Sequence, residues 1–97
     1  MFSMLDRYIP QIKEVIKDFD PSLRNRYFIF GSSISKERFN DIDIGVIGAN
    51  ASGIRVSDLK EKIEDTTIPY FFDIIDFDSA EKSFTDYVFN NKVLWMN

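Results

Sequence analysis

The sequence predicts an α+β domain, a small mixed sheet of three to four strands with helices packed against it. Three observations carry that prediction. Apolar residues recur at helical spacing near the start and again near the end of the chain, two short segments between them are rich in Phe, Tyr and Ile, and a third alternates Asp with Ile. Interleaved helical and strand patterns within 97 residues leave room for one domain, spanning residues 1–97, whose helices cover its sheet.

Leu5, Ile9, Ile12, Val15, Ile16 and Phe19 form one apolar stripe on an otherwise polar segment, which predicts a helix. Ser3 and Asp6 suit its cap, and Pro10 predicts either a kink or a helix that begins near it. Asp20-Pro21-Ser22 ends the segment with turn chemistry. Arg26-Tyr27-Phe28-Ile29-Phe30 reads as a buried strand and stops at Gly31-Ser32-Ser33. A polar stretch over residues 35–40 leads to a second strand over residues 41–47, and residues 48–53 read as a loop. Leu59 and Ile63 among charged neighbours predict a short helix capped by Ser57, with Lys60, Glu61, Lys62 and Glu64 on its solvated face.

Beyond Pro69, residues 70–77 have strong β composition. Asp78 or Ser79 is the expected cap of a last helix bearing Ala80, Phe84, Tyr87 and Val88 on one face. Asn90-Asn91 closes that helix, and Val93-Leu94-Trp95 adds a small edge strand. The aromatics Tyr27, Phe28, Phe30, Phe71, Phe72 and Phe84 are assigned to the core. Trp95 either caps the core or joins Met1, Phe2 and Met4 in an apolar surface patch.

Composition limits the chemistry. The chain has no Cys and no His, which removes disulfides, thiol nucleophiles, a histidine general base and zinc sites built on those residues. What remains is carboxylates, hydroxyls, Lys, Arg and backbone, an inventory that suits hard cations such as magnesium. A formal charge of −4 and the lack of a Lys/Arg cluster argue against long DNA or RNA as a partner. No apolar run approaches the roughly 20 residues of a membrane span, and the first residues lack signal-peptide order, so the expected location is cytoplasmic.

The chemistry-bearing pattern lies on the second strand. Asp is a poor strand former, yet Asp41 and Asp43 flank Ile42 inside an apolar run. Residues two apart share a face, so Asp41, Asp43 and Gly45 line one side while Ile42, Ile44 and Val46 line the other. Like charges on one face oppose folding unless a divalent cation turns repulsion into coordination. Gly31 permits close backbone approach, and successive N–H groups at such a turn hold phosphate oxygens; the plainer alternative is a tight turn followed by a helical turn. Asp73 and Asp76 lie in the third strand on opposite faces, and periodicity does not choose between them.

Phe30-Gly31-Ser32, then Asp41-Ile42-Asp43-Ile44, then Asp73 in a later strand resembles the pattern of the nucleotidyltransferase superfamily that includes DNA polymerase beta and kanamycin nucleotidyltransferase, and most resembles its small stand-alone branch, the minimal nucleotidyltransferases. The similarity runs from about Tyr27 onward. It implies a nucleotidyltransferase fold in which Asp41, Asp43 and Asp73 hold two Mg²⁺ ions and carry catalysis. Gly31, Ser32 and Ser33 contact the outer phosphates of a nucleoside triphosphate, expected to be ATP. It also implies transfer of AMP to a hydroxyl of a partner, with a helical HEPN-type protein of a toxin–antitoxin pair as the expected partner and homo-oligomerisation as the other assembly. The spacer from Ser32 to Asp41 is shorter than in many relatives. Ser33, Ile34 and Ser35 stand where relatives often carry Arg and a further Gly, leaving Lys36 or Arg38 as substitutes. These departures favour a second reading, an antitoxin-like binding module that keeps the fold without turnover. A glycosyltransferase-type DxD site fails on length.

Overall fold

A computed structural model describes residues 4–97. The elements are α1 (Ile9–Phe19), β1 (Arg26–Phe30), α2 (Ser32–Ser35), β2 (Asp41–Ile47), α3 (Ala49–Ser52), α4 (Val56–Glu64), β3 (Phe71–Asp76), α5 (Lys82–Phe89) and β4 (Leu94–Trp95). The four strands form one mixed sheet in the order β3-β2-β1-β4. β1 runs antiparallel to β2 and to β4, while β2 and β3 are parallel. The expected α+β architecture is therefore present, including the small edge strand.

Alternation along the strands sorts their side chains into two cores. Tyr27, Ile29, Ile42, Ile44, Val46, Phe72 and Ile74 point to one face and pack with Ile12, Val15 and Ile16 of α1 and Leu59 and Ile63 of α4. On the other face a smaller aromatic cluster holds Phe28, Phe30, Phe77 and Val88. Phe28 is its hub, in ring contact with Phe77 at 4.8 Å, Trp95 at 5.0 Å and Phe89 at 5.1 Å between centroids. Gly45 makes that possible, because a Cβ at this position would collide with the Phe28 ring. Fully burying a residue of this size stabilises by roughly 1.5–3 kcal/mol.

Several local expectations are revised. Pro10 falls in the first turn of α1, where its missing N–H costs nothing, so the helix starts there rather than kinking. Asp6 lies in the turn before it, and Ser3 lies outside the described residues. Residues 48–53 are not an open loop: Ala49–Ser52 form one helical turn between two glycines of left-handed φ. Ser57 does not cap α4, whose N-cap is Arg55. Neither Asp78 nor Ser79 caps α5, which begins at Lys82 after Glu81 and leaves Ala80 outside it. The Asp78 carboxylate instead accepts the backbone N–H groups of Gly48 and Asn50, both at 3.1 Å. Ser79 donates its hydroxyl to Asp76 at 3.0 Å. The core assignment holds for Tyr27, Phe28, Phe30 and Phe72 and fails for Phe71 and Phe84, which are 73% and 39% exposed. Trp95 covers the aromatic cluster and lies under the Arg26 guanidinium at 4.4 Å; Met1 and Phe2 lie outside the described residues.

The start of β1 is tied down by a buried polar knot. Asp20 accepts the backbone N–H groups of Arg24 and Asn25, the Asn25 side-chain amide and the Tyr27 hydroxyl, all at 3.1 Å. Burial alone would raise the Asp20 carboxyl, but these four donors outweigh it and hold it below its ordinary value. Tyr27 is driven the other way, first by burial, against the Asn25 hydrogen bond and with the help of neighbouring Asp20.

Candidate active site

Asp41, Asp43 and Asp73 share the second face of the sheet, at the end where β1 stops and β2 begins. In the parallel pairing of β2 with β3, Asp43 is the register partner of Asp73, and Asp41 that of Phe71. In the antiparallel pairing, Phe30 faces Asp43. Asp41 and Asp73 are exposed and Asp43 is half-buried. Register settles what periodicity left open: Asp73 lies beside Asp43, while Asp76 pairs with Val46 three residues further along. The Asp76 carboxylate is already engaged by the Asp78 N–H at 2.9 Å and by Ser79.

The electrostatics of the three acids are unbalanced. The Asp43 carboxyl is pushed above its ordinary value first by burial, then by the charge of Asp73, then by that of Asp41. Among the described residues no donor offsets these effects. Burial and the two neighbouring charges all disfavour the Asp43 anion, and positive charge placed beside it would offset them. Among the described residues no three acidic side chains are drawn together into a ready-made cation cage, so the acids form an open face rather than a closed one.

The glycine turn abuts this face. Gly31 has φ 83° and ψ −152° and precedes the single turn of α2. A Cβ on it would sit 2.5 Å from Asp43 Oδ2, so only glycine lets the backbone come this close to the carboxylate. Ser32 is half-buried at the start of α2. Ser33 is buried, and its hydroxyl is the buried side-chain oxygen without a hydrogen-bond partner among the described residues. Lys36 and Arg38 are exposed beyond the end of α2. Phe84, Tyr87, Asn91 and Lys92 line a cavity that Gly31 also lines. Sequence reasoning did not associate them with the turn. The exposed apolar positions on the last helix were the available signal.

Acids on paired strands beside a glycine turn are the arrangement expected of a nucleotidyltransferase. The family model described as Polymerase beta, Nucleotidyltransferase matches residues 11–97, and the chain belongs to that family. The match extends further toward the N-terminus than the motif-bearing segment, taking in most of α1, the helix that packs beneath the sheet through Ile12, Val15 and Ile16. Among curated proteins none matches the chain. No helix among the described residues is long and apolar enough to cross a membrane.

Proposed function

We propose that this protein transfers the nucleotidyl group of a nucleoside triphosphate, ATP in the first instance, to a hydroxyl of a partner protein. The observation that carries this reading is the Asp43–Asp73 register pair, with Asp41 on the same face and Gly31 packed against Asp43. The donor set is all oxygen, and the uncompensated charge at Asp43 is of the sign and kind that Mg²⁺ neutralises. Asp41, Asp43 and Asp73 would hold the metal, which when bound steadies the attacking and leaving oxygens of an in-line displacement. Gly31, Ser32 and Ser33 would cradle the outer phosphates through backbone N–H groups and hydroxyls.

The reaction balances without a further reactant. The acceptor oxygen forms a bond to the α-phosphorus, the bond from that phosphorus to the bridging oxygen breaks, and pyrophosphate departs with the electron pair. Asp73, exposed beside Asp43, takes the acceptor proton and passes it to solvent. The acceptor arrives from outside this chain, and a helical HEPN-type protein of a toxin–antitoxin pair is the proposed partner. The protein is incubated with Mg²⁺, labelled triphosphate and its neighbouring gene product. Label moves to that product with the wild type and is lost with Asp43→Asn. Transfer that survives the substitution contradicts the mechanism.

The second reading is a binding module that silences its partner by contact alone. One observation favours it: α2 carries no cation, and Lys36 and Arg38 point into solvent beyond it. Binding to the partner that persists without transfer, for any triphosphate, would select this reading.

A further inference from the structure

The aromatic face does not close over itself. Between α2 and α5 lies a slot of about 370 Å³, lined by Gly31, Ile34, Phe84, Tyr87, Asn91 and Lys92 among others. That size is at the lower end of the ~300–1,000 Å³ typical of small-molecule pockets. Phe84 and Tyr87, which line this slot, are 39% and 68% exposed, while Val88 on the same helix is buried in the aromatic cluster. Phe84 also contacts the core rings of Phe30 at 6.1 Å and Phe77 at 5.7 Å, which fixes it in place, and Tyr87 is the more open of the two; a ring open beside a cavity is what a planar ligand needs to stack on.

Three features say what the ligand is. Gly31 lines the slot and also touches Asp43, so the slot is continuous with the turn that would hold phosphates. Lys92 puts positive charge in its lining, which suits an anionic ligand better than a neutral apolar side chain. Asn91 donates its amide N–H to the Tyr87 carbonyl at 2.8 Å, which leaves its side-chain oxygen as an acceptor. Such an acceptor recognises an N–H donor on a nucleobase, and adenine offers its donor as an exocyclic amine.

We propose that this slot seats the base of the bound nucleotide, stacked on Tyr87 and Phe84, and that Asn91 selects a base bearing an exocyclic amine in the position adenine carries it. The inference rests on the nucleotide-transfer reading and gives its substrate a base. The acids and the glycine turn recognise only phosphates and metal, which every triphosphate shares, whereas the slot separates one triphosphate from another.

The test titrates ATP, inosine triphosphate (a carbonyl in place of that amine) and inorganic tripolyphosphate, each with Mg²⁺, into wild type, Tyr87→Ala and Asn91→Ala. Wild type is expected to bind ATP about tenfold or more tighter than either of the other two. Tyr87→Ala should weaken ATP roughly tenfold and leave tripolyphosphate unchanged, which also shows that the variant is folded. Asn91→Ala should erase the preference for ATP over inosine triphosphate. ATP binding no tighter than tripolyphosphate, or unmoved by Tyr87→Ala, overturns the slot while the phosphate turn stands; that is the result expected of a slot built for a partner's side chain. Equal affinity for ATP and inosine triphosphate in wild type overturns the role of Asn91. Failure of all three ligands to bind overturns the nucleotide-transfer reading and this inference together.

Discussion

Asp20 and Asp43 are both withdrawn from water, one behind the end of α1 and the other on the second face of the sheet, and their carboxyls are shifted in opposite directions. Asp20 is surrounded by donors and serves the fold: two backbone N–H groups, an amide and a phenol satisfy it. Asp43 is surrounded by burial and by two further acids, beside a glycine on which any side chain would collide with its carboxylate. Stability alone would not select the second arrangement, since burying an unpartnered charge is costly. The contrast separates a carboxylate that the fold satisfies from one that the fold leaves unsatisfied.

Breaking the first half of the comparison should give the largest effect. Asp20→Ala leaves the Tyr27 hydroxyl and the Arg24 and Asn25 backbone N–H groups without their acceptor and should cost about 2–4 kcal/mol, read as a drop in melting temperature of more than about 10 °C. The Asp20 carboxyl is held low, so its contribution is present above the unfolded value of 3.8 and disappears as the pH falls through the folded value. An Asp20→Asn variant should therefore lose most of the wild type's acid dependence in this region, by denaturant titration across pH.

Gly31→Ala tests the close approach to Asp43. Positive φ and the collision with Oδ2 together should cost about 1–3 kcal/mol in thermal unfolding, with loss of triphosphate binding. A variant as stable as wild type would show that the turn is looser than its geometry implies.

Asp43→Asn should act in the opposite direction from Asp20→Ala. Removing the central charge relieves repulsion from Asp73 and Asp41, so the ligand-free protein should melt a few degrees higher at neutral pH, roughly 2–5 °C. The sign follows from linkage: a carboxyl raised in the folded state contributes stability below the unfolded value of 3.8 and loses it as the pH rises through the folded value. The gap between variant and wild type should accordingly open as pH rises, in parallel melting curves. The smallest effect belongs to Phe71→Ser, on the same face but 73% exposed, which should change stability by no more than about 0.5 kcal/mol.

The same contrast explains what the sequence made legible. Alternation over Asp41-Ile42-Asp43-Ile44 was enough to put both acids on one face, because a strand has a period of two whatever surrounds it. Glycine before Ser32 marked the turn, since few other residues take a positive φ there. The choice of Asp73 over Asp76 was not available from periodicity, because it depends on how β3 pairs with β2, a long-range fact. For the same reason Asp78 was read as the cap of the helix that follows it, although its partners are the N–H groups of Gly48 and Asn50, some 30 residues earlier in the chain. Phe71 and Phe84 are core residues by type, but their 73% and 39% exposure depends on tertiary packing, which residue type does not carry. The knot around Asp20 gave no local signal beyond a turn-forming Asp-Pro.

If a cation and a triphosphate complete the acidic face, melting wild type and Asp43→Asn side by side, with and without Mg²⁺ and ATP, will show it. A ligand at a hundred times its dissociation constant stabilises the folded state by about 2.7 kcal/mol. Wild type should start lower and rise by several degrees, while the variant should start higher and stay where it is. A wild type that does not respond, or a variant that rises as far as the wild type, would contradict the account.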